Sequence, residues 1–183
     1  MRIITGSARG RKLNTLEGLD VRPTPDKVKE ALFNIIQFDI EGRHFLDLFA
    51  GSGQIGLEAL SRGAKDCVFI DASKKSVAVI EENIAHCGFE NQSKVVNADS
   101  VMYIRRTMEK FDVAFLDPPY RKGLLQEALP YVADRMNEGG TIICEHPIDE
   151  EVPDEAGDFK RFRDYKYGKI ILTSYKLADN GEE

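Results

Sequence analysis

The chain has 183 residues, a net charge of −6, 42% hydrophobic and 31% charged residues. That length and balance fit one globular domain, 1–183, and argue against a protein that coats nucleic acid with its whole surface. The charge is uneven, because residues 1–29 hold seven Lys/Arg against three acids, so polyanion contact is expected at a basic N-terminal extension, 1–22, on an acidic body.

In chain order, "MRIITGSARGRKL" opens that extension, and Gly6 and Gly10 let it turn as a small hairpin arm. "TPDKVKEALFNIIQF" (24–38) is predicted helical, with Pro25 early and Val28, Leu32 and Ile35/Ile36 on one face. A strand over 44–49, "HFLDLF", leads to a helix closed by Gly63. "DCVFID" (66–71) is the second strand, and the helix "KKSVAVIEENIAHCG" ends at Gly88. "KVVNAD" (94–99) is the third strand, with a short helix over 100–109. "FDVAFLD" (111–117) is the fourth, followed by the helix "GLLQEALPYVADRMN", which contains Pro130. "GGTIICEH" (139–146) is the fifth. After an acidic loop, 149–158, "KRFRDYKYGKIILTSYKL" reads as an antiparallel hairpin turning near Gly168, and "ADNGEE" as a frayed tail.

Strands alternating with helices imply right-handed βαβ crossovers. The expected fold is α/β and Rossmann-like: a mostly parallel seven-stranded sheet, helices on both faces, a C-terminal antiparallel hairpin and the basic arm. Cys67, Cys87 and Cys144 have no close spacing and are expected as buried free thiols. They make no metal spacing with His44, His86 and His146, so no metal is expected. No apolar run approaches the ~20 residues of a membrane span, and the N-terminus has no signal-peptide core. A cytoplasmic monomer without a membrane partner is the expectation.

In such a sheet the ligand lies at the carboxyl ends of the strands, where strand order reverses. Gly51-Ser52-Gly53-Gln54-Ile55-Gly56 is a G-x-G-x-x-G between strand and helix, and Asp71 ends the next strand twenty residues after Gly51. Alone, that pattern suits a dinucleotide as well as S-adenosylmethionine. Asp47, inside the first strand, would repel a pyrophosphate but suits the ammonium of a methionine moiety. Asp99 can accept from the adenine amine. Three acids round one pocket favour S-adenosylmethionine over NAD, and Phe49 and Ser100, beside these positions, complete the expected cofactor set.

Asp117-Pro118-Pro119-Tyr120 ends the fourth strand. A nucleobase amine is a poor nucleophile because its lone pair is delocalised into the ring. The Asp117 carboxylate and the Pro118 carbonyl offer acceptors for its two N–H bonds, and Tyr120 a flat face for an unstacked base. These motifs resemble those of class I amino-methyltransferases. With "MRIITGSARGRKL", "RPTPDKVKEALFNII", "FLDLFAGSGQIGLEALSRGA" and "DVAFLDPPY", the chain resembles the RsmD family, bacterial 16S ribosomal RNA guanine-N2 methyltransferases.

The resemblance implies Asp47, Gly51 and Gly53 at the methionine end of the cofactor, Asp71 at its ribose and Asp99 at its adenine. It implies Asp117, Pro118 and Tyr120 at the guanine, with Arg22 and Thr24 near the mouth of the site. Arg2, Arg9, Arg11 and Lys12 are expected to grip RNA phosphates. Residues 5–10, "TGSARG", lack the aromatic expected of the family's arm, so the arm is read for charge and not for stacking. Ribosomal RNA, within a small-subunit particle, is the expected partner. The alternatives are a DNA adenine-N6 or cytosine-N4 methyltransferase, an NAD-dependent oxidoreductase, and a catalytically silent assembly module.

Overall fold

Near-continuous apolar runs in the strands require a sheet covered on both faces, because only burial satisfies them. The computed structural model describes residues 1–17 and 24–178. Its strands are β1 (His44–Leu48), β2 (Asp66–Asp71), β3 (Ser93–Asn97), β4 (Phe111–Leu116), β5 (Met136–Pro147), β6 (Glu155–Ala156), β7 (Phe159–Tyr167) and β8 (Ile170–Leu177). The helices are α1 (Asp26–Ile35), α2 (Gln54–Ser61), α3 (Lys74–Cys87), α4 (Ser100–Arg106) and α5 (Leu124–Asp134). They flank one sheet of order β3-β2-β1-β4-β5-β8-β7-β6. The first five strands are parallel and β5 through β6 antiparallel.

This sheet has eight strands where seven were expected. The added strand lies within the acidic stretch, where Ala156 is buried and pairs with Phe159. Strand β5 starts earlier than expected and takes Met136 and Asn137 from the predicted helix. Asn137 donates to Asp112 at 2.9 Å, and a register shift between Phe111 and Val113 absorbs the glycine pair that follows. Pro25 is the cap of α1 rather than its first turn, and the helix stops at Ile35, leaving Phe38 90% exposed. Pro130 lies inside α5 without ending it. All three cysteines are buried and free. Among the described residues no helix is long and apolar enough to cross a membrane.

Two apolar layers fill the faces. One gathers Phe45, Phe69, Val113, Phe115, Ile143 and Leu172 under α1, α2 and α3. The other gathers Leu46, Ile70, Leu116 and Cys144 under α4 and α5. The C-terminal hairpin's Tyr165 and Tyr167 are half-buried against the first layer, with the Arg163 guanidinium 5.2 Å from the Tyr165 ring.

The basic arm is a packed hairpin, closed by an antiparallel bridge between Arg2 and Lys12. Its turn is pressed onto the end of α2. A Cβ on Gly6, where φ is +90°, would fall 1.8 Å from the Ser61 carbonyl oxygen, so only glycine fits. The Glu58 carboxylate accepts from the backbone N–H groups of Ile4 (2.9 Å) and Thr5 (3.0 Å) and from Arg62 Nε (3.0 Å). Lys29 Nζ lies 3.7 Å from it and donates to the Arg2 carbonyl at 2.7 Å. Lys29 and Glu58 are both fully buried, so removing Glu58 takes the nearest counter-charge from the Lys29 ammonium. Glu58→Ala is therefore expected to cost about 3–5 kcal/mol. Denaturant unfolding measures that loss, with faster amide exchange at Ile4 and Thr5 as the local signature.

Candidate active site

Strand order reverses between β1 and β4, so the carboxyl ends of these two strands and their neighbours frame a crevice. Side chains alternate along a strand. Two residues beyond Phe45, Phe69, Phe115 and Ile143 stand Asp47, Asp71, Asp117 and Glu145. Four carboxyls from four adjacent strands thus reach the crevice on the face covered by α1, α2 and α3.

Asp47 is 1% exposed and accepts from the Gly56 N–H at 3.0 Å. Desolvation, with the nearby Asp71 charge adding to it against that hydrogen bond, pushes its pKa up to about 8. Gly56 is compelled by space: a Cβ there would lie 2.3 Å from Phe69 Cε1 and 2.6 Å from Cys67 Sγ. The third glycine of the motif therefore seats α2 on β2. Asp71 ties two loops together, Oδ2 accepting from Gly51 N and Oδ1 from Ser73 N, both at 2.9 Å. Phe49 holds φ at +63°, a left-handed conformation unfavourable for a side chain of that size, at the point where the chain leaves β1. Gly53, with φ of +80°, caps α2. Asp99 is exposed and caps α4 by accepting from Met102 N at 2.9 Å, with Ser100 buried behind it.

At the end of β4, Asp117 keeps partial exposure while Pro118 is buried. Packing around the Asp117 carboxyl is nonetheless dense: burial first, then the charges of Glu145 and Asp47, push its pKa well above the ordinary carboxylate range. Glu145, on β5, is 3% exposed. Its Oε1 accepts from the Tyr120 hydroxyl at 3.1 Å and its Oε2 from the Thr24 hydroxyl at 3.4 Å. Burial raises its pKa, and these two hydrogen bonds oppose the rise. Next to the tetrapeptide, Arg121 has φ of +58°. Its N–H donates to Glu150 at 3.0 Å and its Nη2 to Asp149 at 2.9 Å. The acidic stretch therefore anchors the loop that follows Tyr120.

Sequence reasoning missed Glu145 and this use of Asp149 and Glu150. A signal for the first existed: one carboxylate inside the apolar run "TIICEH", where burial without a purpose is costly. Thr24, expected at the mouth, is buried and joined to Glu145. Arg22 lies outside the described residues. Arg2, Arg9, Arg11 and Lys12 are all exposed, and they are spread along the arm, whose base meets the glycine loop through Met1 Sδ, 3.8 Å from the Ser52 hydroxyl, while its turn points away. The arm's turn is bonded to Ser61, at the end of α2 remote from the glycine loop, through Ser7 N and Ala8 N. Arg11 Nη1 donates to the His86 carbonyl at 2.7 Å, near the end of α3. Arg9 and Arg11 thus lie toward the opposite end of the sheet from Asp117.

Comparison with known proteins agrees with this architecture. A family model described as "Conserved hypothetical protein 95" matches residues 1–176. "Ribosomal RNA small subunit methyltransferase D" of Escherichia coli is 32% identical, covering 100% of this chain and 92% of that protein. The protein of the same name from Haemophilus influenzae is 40% identical, over 73% of this chain and 71% of its own. A solved structure, "Putative methyltransferase yhhF from Escherichia coli", superposes with a TM-score of 0.87 at 32% identity, covering 97% of each chain. Matched along nearly its whole length and sharing this Rossmann-like methyltransferase fold, the chain belongs to the RsmD family, the family described as Conserved hypothetical protein 95.

Proposed function

We propose that the protein transfers a methyl group from S-adenosylmethionine to the N2 amine of one guanine in small-subunit ribosomal RNA, presented in a ribosomal particle. The observation that carries this reading is the Asp117 carboxyl, fixed beside the rigid Pro118 at the tip of β4 and next to the glycine loop at the point of strand reversal. Relatives named for small-subunit ribosomal RNA support the substrate class.

The residues present fit the cofactor. Asp71 is half-buried, and each of its oxygens accepts one backbone N–H, leaving lone pairs for ribose hydroxyls. Asp99 is exposed with one oxygen engaged in its cap. Asp47 lies buried beneath the glycine loop, where a cationic ligand group would find an uncompensated carboxyl. When bound, the cofactor supplies a methyl group activated by a sulfonium. Gly51, Gly53, Phe49 and Ser100 shape the backbone around it. Asp117 and the Pro118 carbonyl accept the two N–H bonds of the target amine, localising its lone pair and stabilising the positive charge that develops on nitrogen. Tyr120 supports the ring of the unstacked base. Guanine presents N1–H beside its amine, two adjacent donors that a carboxylate complements. Arg2, Arg9, Arg11 and Lys12 contribute phosphate contacts along an extended RNA, consistent with a particle and not a short oligonucleotide, and Arg22 is assigned to the substrate at the mouth of the site.

Labelled cofactor, small-subunit particles lacking the modification and mapping of the labelled nucleotide form the test. Methyl transfer to one guanine N2 is expected; transfer to duplex DNA instead, or none to the particle, defeats the proposal. For the cofactor half, Asp71→Ala is expected to weaken S-adenosylmethionine binding by about 10–150-fold, roughly 1.5–3 kcal/mol, through loss of a charged acceptor. Titration calorimetry measures it, and binding of NAD in place of S-adenosylmethionine would reverse the assignment.

A further inference from the structure

Glu145 has no part in the family-derived reading of the site, yet it is the buried carboxylate that joins the Tyr120 loop to the stretch before α1. We propose that Glu145 is the positioning residue of the methyl-acceptor site, holding the Tyr120 and Thr24 hydroxyls and sharing a single proton with Asp117, so that the pair presents one negative charge to the target amine. This rests on the methyltransferase reading above.

Three independent features support it. Strands β4 and β5 are parallel with Leu116 beside Cys144, so the next residues, Asp117 and Glu145, stand side by side at the strand ends. Both follow first-layer residues by two positions and so face the same side. The two Glu145 oxygens are divided between segments that must agree for a base to bind: the loop carrying Tyr120 (3.1 Å) and the stretch before α1 carrying Thr24 (3.4 Å). Glu145 therefore fixes the height of the aromatic face relative to Asp117.

Ionising one of two adjacent buried carboxyls opposes ionising the other, which favours a proton held between them. Both groups are indeed displaced upward from their ordinary range. Among the described residues, the titratable groups around the pair are Asp47 from β1, which acts on Asp117, Tyr120 from the loop after β4, which bonds Glu145, and, on the same face across Leu172, Tyr165 from β7.

The chemical step balances. The N2 lone pair forms the new N–C bond while the C–S bond breaks and its electron pair stays on sulfur, discharging the sulfonium. Nitrogen, now cationic, loses one N–H proton to the carboxyl pair, Asp117 receiving it as the shared proton passes to Glu145. The pair passes from one proton and one negative charge to two protons and none, and the second proton leaves to water after product departs. A carboxyl pair already neutral could not accept that proton, and two free carboxylates would be expensive to bury.

The test uses Glu145→Gln, which keeps size and one acceptor oxygen but removes the charge, with Tyr120→Phe plus Thr24→Val as a second variant. Carboxyl-labelled carbon-13 NMR of the free protein is expected to show Asp117 and Glu145 titrating in two separated steps, and Glu145→Gln to bring Asp117 down toward the ordinary range. In single-turnover transfer to particles, Glu145→Gln should lower the rate by about 10–100-fold and displace the acid limb of the pH profile. Cofactor affinity and melting temperature should stay near wild type. A Glu145→Gln enzyme with wild-type rate and pH profile overturns the proposal, as does an Asp117 titration unmoved by it. Should Glu145→Gln fail to fold, the hydroxyl-deleted variant decides: loss of both donors should raise the Glu145 titration and move the acid limb to higher pH, and an unmoved limb refutes the assignment. Absence of methyl transfer by the wild-type protein would instead refute the methyltransferase reading, while the NMR titration would still report on the carboxyl pair.

Discussion

Asp117→Ala is expected to lower methyl transfer by about 10²–10³-fold, the size of effect seen when one preorganised polar group opposite a developing charge is removed. The group in question is crowded by other carboxyls, Glu145 and Asp47 among them, each of which opposes its ionisation. Its removal relieves like-charge crowding, so the variant should fold as well as wild type. Cofactor affinity should change by no more than a few-fold, because the proposed function assigns that contact to Asp71 and the glycine loop. Single-turnover kinetics at saturating cofactor, beside calorimetry, separates the two quantities. Unchanged turnover would remove Asp117 from the chemistry, and abolished cofactor binding would mean that it belongs to the other half of the site.

The second large effect is proton-linked and centres on Asp47. Its pKa stands at about 8 in the folded protein against 3.8 for an ordinary aspartate. A carboxyl raised in this way contributes stability that is fully present below its unfolded pKa and is lost as pH rises through the folded one. Between these limits the contribution declines with pH, by up to roughly 6 kcal/mol at 1.36 kcal/mol per pKa unit. Asp47→Asn should flatten that decline in a series of denaturant melts from pH 4 to pH 8. The same imbalance governs ligand binding. A cationic ligand group drawn to Asp47 favours its ionised form, so cofactor binding below about pH 8 should release a proton and tighten as pH rises toward that value. Calorimetry in buffers of different ionisation enthalpy counts the proton. Binding without proton release would confine Asp47 to its Gly56 contact.

The elements of the site that a reader of the chain can find are those encoded in adjacent residues. Gly51 through Gly56 must turn tightly between a strand and a helix, Asp71 and Asp99 follow strands, and Asp117 through Tyr120 end one. Local spacing carries each of these, because backbone conformation and strand periodicity act over a few residues. The alternation of strands and helices likewise predicts the parallel sheet and its antiparallel closure.

What tertiary structure alone decided depends on partners distant along the chain. Glu145 meets Thr24 across 121 residues, and Glu58 grips the arm from more than fifty away. Neither pairing leaves a periodic mark. The arm illustrates the difference: its basic composition is plain from Arg2, Arg9, Arg11 and Lys12, but its position is governed by Glu58, Lys29 and Ser61, whose packing turns part of that charge toward the far end of the sheet. The short β6 arises in the same way, from Ala156 finding an apolar layer within an otherwise acidic stretch. Residue type and spacing determine which chemistry is available, while burial and charge proximity, created only when remote strands align, determine which carboxyls keep their protons.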